Sequence, residues 1–173
     1  EQVVQVLNDV LCAELTGINQ YFIHAMMCRN WHYKRLAEHI RKESIEEMQH
    51  AQQVIERILY LEGLPNMQKY MKINVGQTVP EQFEFDLQLE YAAVERLNKG
   101  VELSRAAGDN GTRALLEKIL VDEEEHVDWL EAQLQQLSPA GPSHCPSPQD
   151  TGQAPQSAGQ LAQPSPAPQV PSP

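Results

Sequence analysis

The chain has 173 residues, 24 of them acidic against 13 basic, for a formal charge of −11. That balance argues against nucleic acid or an anionic membrane surface as partner and suits a protein that attracts cations. No apolar run approaches the ~20 residues that span a bilayer, no signal peptide stands out, and Cys12, Cys28 and Cys145 are too few for a disulfide framework, so a reducing cytoplasm is the expected compartment.

The pattern is already helical at Glu1, so native residues are expected before it. A first helix over about 2–30 carries Leu7, Leu11, Glu14, Ile18 and Tyr21 at alternating steps of four and three. Asn30-Trp31-His32 is a weak break, and a second helix over about 34–62 aligns Leu36, Ile40, Glu43, Glu47, His50, Val54 and Leu61. Gly63-Leu64-Pro65 reads as a firm stop, a glycine just past the helix end followed by proline. From Lys72 to Pro80 the chain reads as a long extended crossover. A third helix over about 81–107 aligns Phe83, Leu87, Glu90, Val94 and Leu97. Gly108-Asp109-Asn110-Gly111 turns the chain into a fourth helix over about 112–137, with Leu116, Ile119, Glu123, His126, Leu130 and Leu137 on one stripe. Residues 1–137 hold only Pro65 and Pro80, whereas 138–173 hold ten prolines and one charged side chain, Asp150. The second segment cannot bury enough apolar surface to offset its ordering entropy, so the expected organisation is a helical domain over 1–137 and a disordered tail over 138–173.

The polar residues on the four stripes carry the chemistry. Glu47/His50 and Glu123/His126 are two copies of a Glu-x-x-His step, and residues three apart on a helix share a face. Glu14 and Glu90 each stand alone on the stripes of the first and third helices. A lone glutamate on an apolar stripe is ordinarily a boundary residue whose carboxylate reaches water. Four of them, two with an imidazole alongside, supply the ligands for two metal ions, the arrangement of di-iron carboxylate bundles. Burying four carboxylates costs several kcal/mol each unless cations neutralise them, and the same stripes offer no lysine or arginine. Carboxylates with one imidazole per ion and no thiolate favour iron or manganese over structural zinc or copper. Short, long and short connections describe an all-α bundle with one crossover between helices two and three, the ferritin-like topology.

Three stretches carry a resemblance to a known family. AELTGINQYFIHAMM, ESIEEMQHAQQVIERILYLEGLPN and DEEEHVDWLEAQL strongly resemble bacterioferritin, and the likeness extends over roughly residues 3–135. The resemblance implies a cytoplasmic iron-storage protein, a homo-oligomeric shell of 24 four-helix subunits built from dimers, with haem b between subunit pairs. It implies a ferroxidase that oxidises Fe(II) to Fe(III) with O2 or peroxide at a di-iron centre, and an electron-donor ferredoxin as partner. By position its ligands are Glu14, Glu47, His50, Glu90, Glu123 and His126, with Glu47 and Glu123 as bridges, and Tyr21 is the tyrosine beside the centre. Met48 corresponds to the haem-ligating methionine, with Leu15, Ile18, Asn19, Phe22 and Ile45 retained around it. The chain departs from the family at Lys42, where a histidine associated with iron on the inner surface is common. It departs again after about Gln135, where the proline-rich tail replaces a fifth helix that closes the four-fold pores. The alternative is a non-enzymatic haem-binding or structural shell subunit.

Overall fold

The computed structural model describes residues 1–137; the disordered tail expected over 138–173 in place of a fifth helix lies outside the described residues. Four helices follow in chain order, α1 (Gln2–Asn30), α2 (Lys34–Tyr60), α3 (Val79–Ala106) and α4 (Asn110–Leu137), with no strand among the described residues. Each end falls within two residues of its expected place. No helix among them is long and apolar enough to cross a membrane.

The shifts at the helix ends have local causes. α3 begins at Val79 because the Thr78 hydroxyl accepts the Glu81 N–H and places Pro80 in the first turn, where its missing N–H is harmless. The Asp109 side chain accepts from the Thr112 N–H and hydroxyl, so α4 starts at Asn110 and Gly111 is helical rather than part of the turn. α2 stops at Tyr60 in a Schellman motif: Gly63 N–H donates to Ile58 C=O and Glu62 N–H to Leu59 C=O. The left-handed residue there is Glu62 (φ 58°), not Gly63. Gly63 is instead a contact glycine, since a Cβ on it would lie 2.6 Å from Val4 Cγ1. His32 (φ 69°) closes α1 in the same way without any glycine, while Gly108 (φ 73°) closes α3.

Hydrogen bonds across the bundle fix its topology. Cys28 meets Gln82, His24 meets Asp86, and Tyr21 meets Glu90, so α3 runs antiparallel to α1. The α2–α4 pairs, His50 with Asp122 and Glu43 with His126, are antiparallel likewise. α1 packs chiefly on α2 and α3 chiefly on α4. Between α2 and α3 the crossover climbs beside α1, zipped to a buried polar stripe. Met71 N–H donates to Thr16 Oγ1 (3.0 Å), Asn74 N–H to Gln20 Oε1 (3.0 Å) and Gly76 N–H to His24 Nε2 (3.1 Å). Acceptors four residues apart on a helix thus satisfy the backbone of an extended strap that has no sheet partner.

Two apolar clusters fill the bundle. One gathers Leu7, Leu11, Val54, Ile58, Leu97, Leu116 and Ile119; the other gathers Tyr21, Ile40, Phe83 and Leu130. The layer between them in sequence on every helix is occupied by carboxylates and imidazoles.

Candidate metal centre

Each helix delivers its share to that layer. α1 contributes Glu14 and Tyr21, α2 Glu47 and His50, α3 Glu90, and α4 Glu123 and His126. All four glutamates are at most 3 % exposed. Their donor atoms fall into two sets: Glu14, Glu47, His50 and Glu123 in one, and Glu47, Glu90, Glu123 and His126 in the other, each within 4.8 Å. Glu47 and Glu123 belong to both sets, which is the geometry that bridging ligands require. Gly17 makes room for this on α1, since a Cβ there would sit 3.2 Å from Glu47 Cγ.

Both imidazoles turn Nδ1 inward. His50 Nδ1 lies 3.2 Å from Glu123 Oε1 and 3.6 Å from Glu14 Oε2; His126 Nδ1 lies 3.0 Å from Glu123 Oε2 and 3.6 Å from Glu47 Oε1. The outer nitrogens rest on two further carboxylates, His50 Nε2 on Asp122 (3.2 Å) and His126 Nε2 on Glu43 (2.8 Å). Carboxylates behind imidazoles fix ring orientation and raise ligand basicity. The Tyr21 hydroxyl donates to Glu90 Oε1.

The electrostatics follow from burying these groups together. Burial, then repulsion from Glu123 and Glu14, pushes the Glu47 carboxyl well above its usual range. Burial and Glu123 do the same to Glu90, and burial and Glu90 raise the Tyr21 phenol. Burial opposes charge on Glu123 too, but the His126 and His50 imidazoles beside it outweigh that and hold the carboxyl at about 2. His126 is driven up to about 11 against its burial by Glu123 and Glu43, and His50 is raised by Glu123, Glu14 and Glu47. The raised groups, Glu47, Glu90, His50 and His126, all favour holding a proton. Four of its buried atoms still have no hydrogen-bond partner: Glu14 Oε2, Glu47 Oε1, His50 Nδ1 and Glu123 Oε1. Convergent orphaned donors with a hard oxygen and imidazole character fit two divalent first-row ions.

Sequence reading missed three participants. Glu43 stands on the α2 stripe one turn before Glu47, and Asp122 is the immediate neighbour of Glu123, yet neither announced a role behind an imidazole. The third is the buried pair His24–Asp86, whose Nδ1 lies 3.0 Å from each carboxylate oxygen, with Gln20 donating to the same aspartate (2.8 Å). His24 follows Tyr21 by three and Asp86 precedes Glu90 by four, so spacing from the site residues was the available signal.

Met48 points away from the centre and is 55 % exposed. Phe22, Met26 and Ile45 are likewise exposed apolar residues of α1 and α2, while Leu15 is buried, Ile18 is half-buried, and Asn19 bonds its own helix at Leu15 C=O. Lys42 lies at the surface against Glu46 (3.5 Å).

Comparison with known proteins agrees with this architecture. The family described as Ferritin-like domain matches residues 4–139. Bacterioferritin BfrA of Mycobacterium tuberculosis is 48 % identical over 139 residues, covering 80 % of this chain and 87 % of the relative. Bacterioferritin of Mycobacterium leprae is 49 % identical over 139 residues, with the same coverage of 80 % and 87 %. The solved structure of Mycobacterium tuberculosis bacterioferritin BfrA superposes with a TM-score of 0.78 at 48 % identity, over 79 % of this chain and 86 % of that one. With its four-helix architecture and a match spanning the whole bundle, the chain belongs to the bacterioferritin family of ferritin-like, iron-storage proteins.

Proposed function

We propose that the chain is a ferroxidase subunit that takes up Fe(II) in pairs, oxidises it to Fe(III) with O2 or peroxide, and passes the product to a mineral inside a homo-oligomeric shell. The shell is of 24 copies built from dimers, in the cytoplasm, as the resemblance implies. One observation supports the reading above the rest: two buried four-residue ligand sets share Glu47 and Glu123. Two one-electron donors side by side match the two electrons that reduce O2 to hydrogen peroxide, or peroxide to two waters. An idle structural subunit would bear the desolvation cost of four clustered, buried carboxylates without a cation to offset it.

The chain's own groups then have assignable work. Glu14, Glu47, His50, Glu90, Glu123 and His126 hold the substrate ions, and Glu47 and Glu123 keep the pair together. Asp122 and Glu43 hold the imidazoles with Nδ1 inward, and Tyr21 orients Glu90. Substrate binding expels the protons that Glu47, Glu90, His50 and His126 favour holding.

Met48 fits a second group. Its exposed thioether, with the apolar Phe22, Met26 and Ile45 also exposed on α1 and α2, would hold a haem b between two copies of the chain. Haem held there would supply one-electron redox chemistry.

Glu47→Ala and His126→Ala each remove a ligand and should abolish rapid Fe(II) oxidation while far-UV circular dichroism stays that of a helical bundle. Wild-type oxidation rates in either variant would refute the reading.

A further inference from the structure

We infer that His39 is a positioning residue: it holds Glu43, and through Glu43 it keeps the His126 imidazole turned inward. The inference rests on the di-metal reading above. His39 itself belongs to neither of the two ligand sets.

Glu43 is buried between two imidazoles. Its Oε2 lies 2.8 Å from His126 Nε2, and its Oε1 lies 3.5 Å from His39 Nε2. His39 precedes Glu43 by four residues on α2, so the two side chains share one face of that helix. His39 is in turn fixed across the bundle. Its ring stacks on Trp129 of α4, with centroids 3.9 Å apart and planes 34° apart. Phe83 of α3 meets the same indole edge to face at 5.4 Å. Trp129 follows His126 by three on α4, so the path closes on itself. Trp129 holds His39, His39 holds Glu43, and Glu43 holds His126, one turn from where the path began.

The restraint matters because open space adjoins it. A cavity of about 200 Å³ has His39, Glu43, Glu46, His126 and Trp129 among its walls. Packing alone therefore does not confine the Glu43 carboxylate, which has room to swing off His126. Glu46 places a second carboxylate oxygen within 4.8 Å of it, and like charge favours such a swing. Burial holds His39 below the ordinary imidazole range, so at pH 7 the ring meets Glu43 as a neutral polar group rather than as a counter-ion. A carboxylate lost from behind a ligating imidazole lowers metal affinity by roughly 10–100-fold. His39 stands one step further out, which sets the expected effect at about tenfold.

Anaerobic titration of the full chain with Co(II) against a competing chelator tests this as a double-mutant cycle. His39→Phe keeps a ring against Trp129 and His39→Leu keeps bulk there, and neither presents a polar atom to Glu43. Both should weaken Co(II) binding about tenfold while the metal-free Tm stays that of wild type. Glu43→Gln should weaken binding by itself, and adding His39→Phe to it should cost nothing more, because His39 acts through Glu43 alone. Wild-type affinity in both His39 variants would overturn the inference. So would a loss from His39→Phe that persists undiminished in the Glu43→Gln background, since His39 would then act by packing alone. Binding of fewer than two equivalents to wild type would instead remove the di-metal reading, and with it the centre that His39 serves.

Discussion

Replacing Glu47 by glutamine should stabilise the metal-free protein and destabilise the metal-loaded one, a reversal that few other substitutions could produce. Glu47 is 3 % exposed, its Oε1 has no hydrogen-bond partner, and burial with Glu123 and Glu14 raises its carboxyl well above the ordinary value. A group whose folded pKa is raised contributes stability at acid pH and withdraws it as pH climbs from its unfolded value through the folded one. At pH 7 the metal-free bundle therefore bears a penalty that an uncharged amide of the same shape lacks. Lifting that penalty is worth about 1–3 kcal/mol, or roughly 3–10 °C in Tm for a bundle of this size. With metal the sign turns. At a concentration 100-fold above Kd each filled position adds about 2.7 kcal/mol, and a 100-fold loss of affinity cuts that to about 0.4 kcal/mol. Because Glu47 belongs to both ligand sets, both gains shrink together. Thermal unfolding with and without Zn(II), which is redox-inert, reads the four values. A glutamine variant that melts below wild type without metal, or gains as much from Zn(II), would refute the account of Glu47 as a strained, shared ligand.

Loading with metal should release more than two protons per chain at pH 7, since His126 (at about 11), His50, Glu47 and Glu90 are all raised; pH-indicator titration in weak buffer measures it, and affinity should tighten from pH 6 to 8. The His126 contribution to metal-free stability runs the other way, complete below about pH 6.5 and lost as pH rises towards about 11, which denaturant melts across that window would show. Met48→Leu, close in volume, should lose haem from a wild-type ratio of one per two chains, by pyridine haemochrome assay, yet keep Fe(II) oxidation. At the end of α2, Gly63→Ala should destabilise by about 1–3 kcal/mol through its clash with Val4. Glu62→Gly should stabilise by up to about 1 kcal/mol by relieving a left-handed φ of 58°; chemical denaturation separates the two.

The contrast between Glu62 and Gly63 shows where sequence reading reaches its limit. A glycine before Leu-Pro after an apolar period signals that the helix ends, and it does. Which residue takes the left-handed turn depends on the hydrogen-bond register, and which needs to lack a Cβ depends on how closely α1 passes. Both are tertiary facts, and the glycine answers to the second. His32 makes the same point, closing α1 with φ 69° and no glycine to mark it.

The centre divides along a similar line. Glu14, Glu47, His50, Glu90, Glu123 and His126 were legible because a charged residue on an apolar stripe violates the local pattern, and four coincident violations call for one common cause. Glu43 obeys the same stripe and was visible, but its partner is on α4, and nothing within α2 says that it should sit behind His126 rather than beside Glu47. Asp122 was hidden more thoroughly. As the neighbour of Glu123 it points about 100° away around the helix, so it reads as part of an ordinary acidic surface. It reaches His50 only because antiparallel α2 and α4 cross at that level. The zipper of Thr16, Gln20 and His24 was camouflaged by its own regularity: polar residues at helical spacing look like a solvated face, and the strap they bind has no periodic signal. The residues of the two buried sets announce themselves by breaking the pattern of their own helix, whereas Glu43 and Asp122 comply with theirs and meet the imidazoles only through the partner helix.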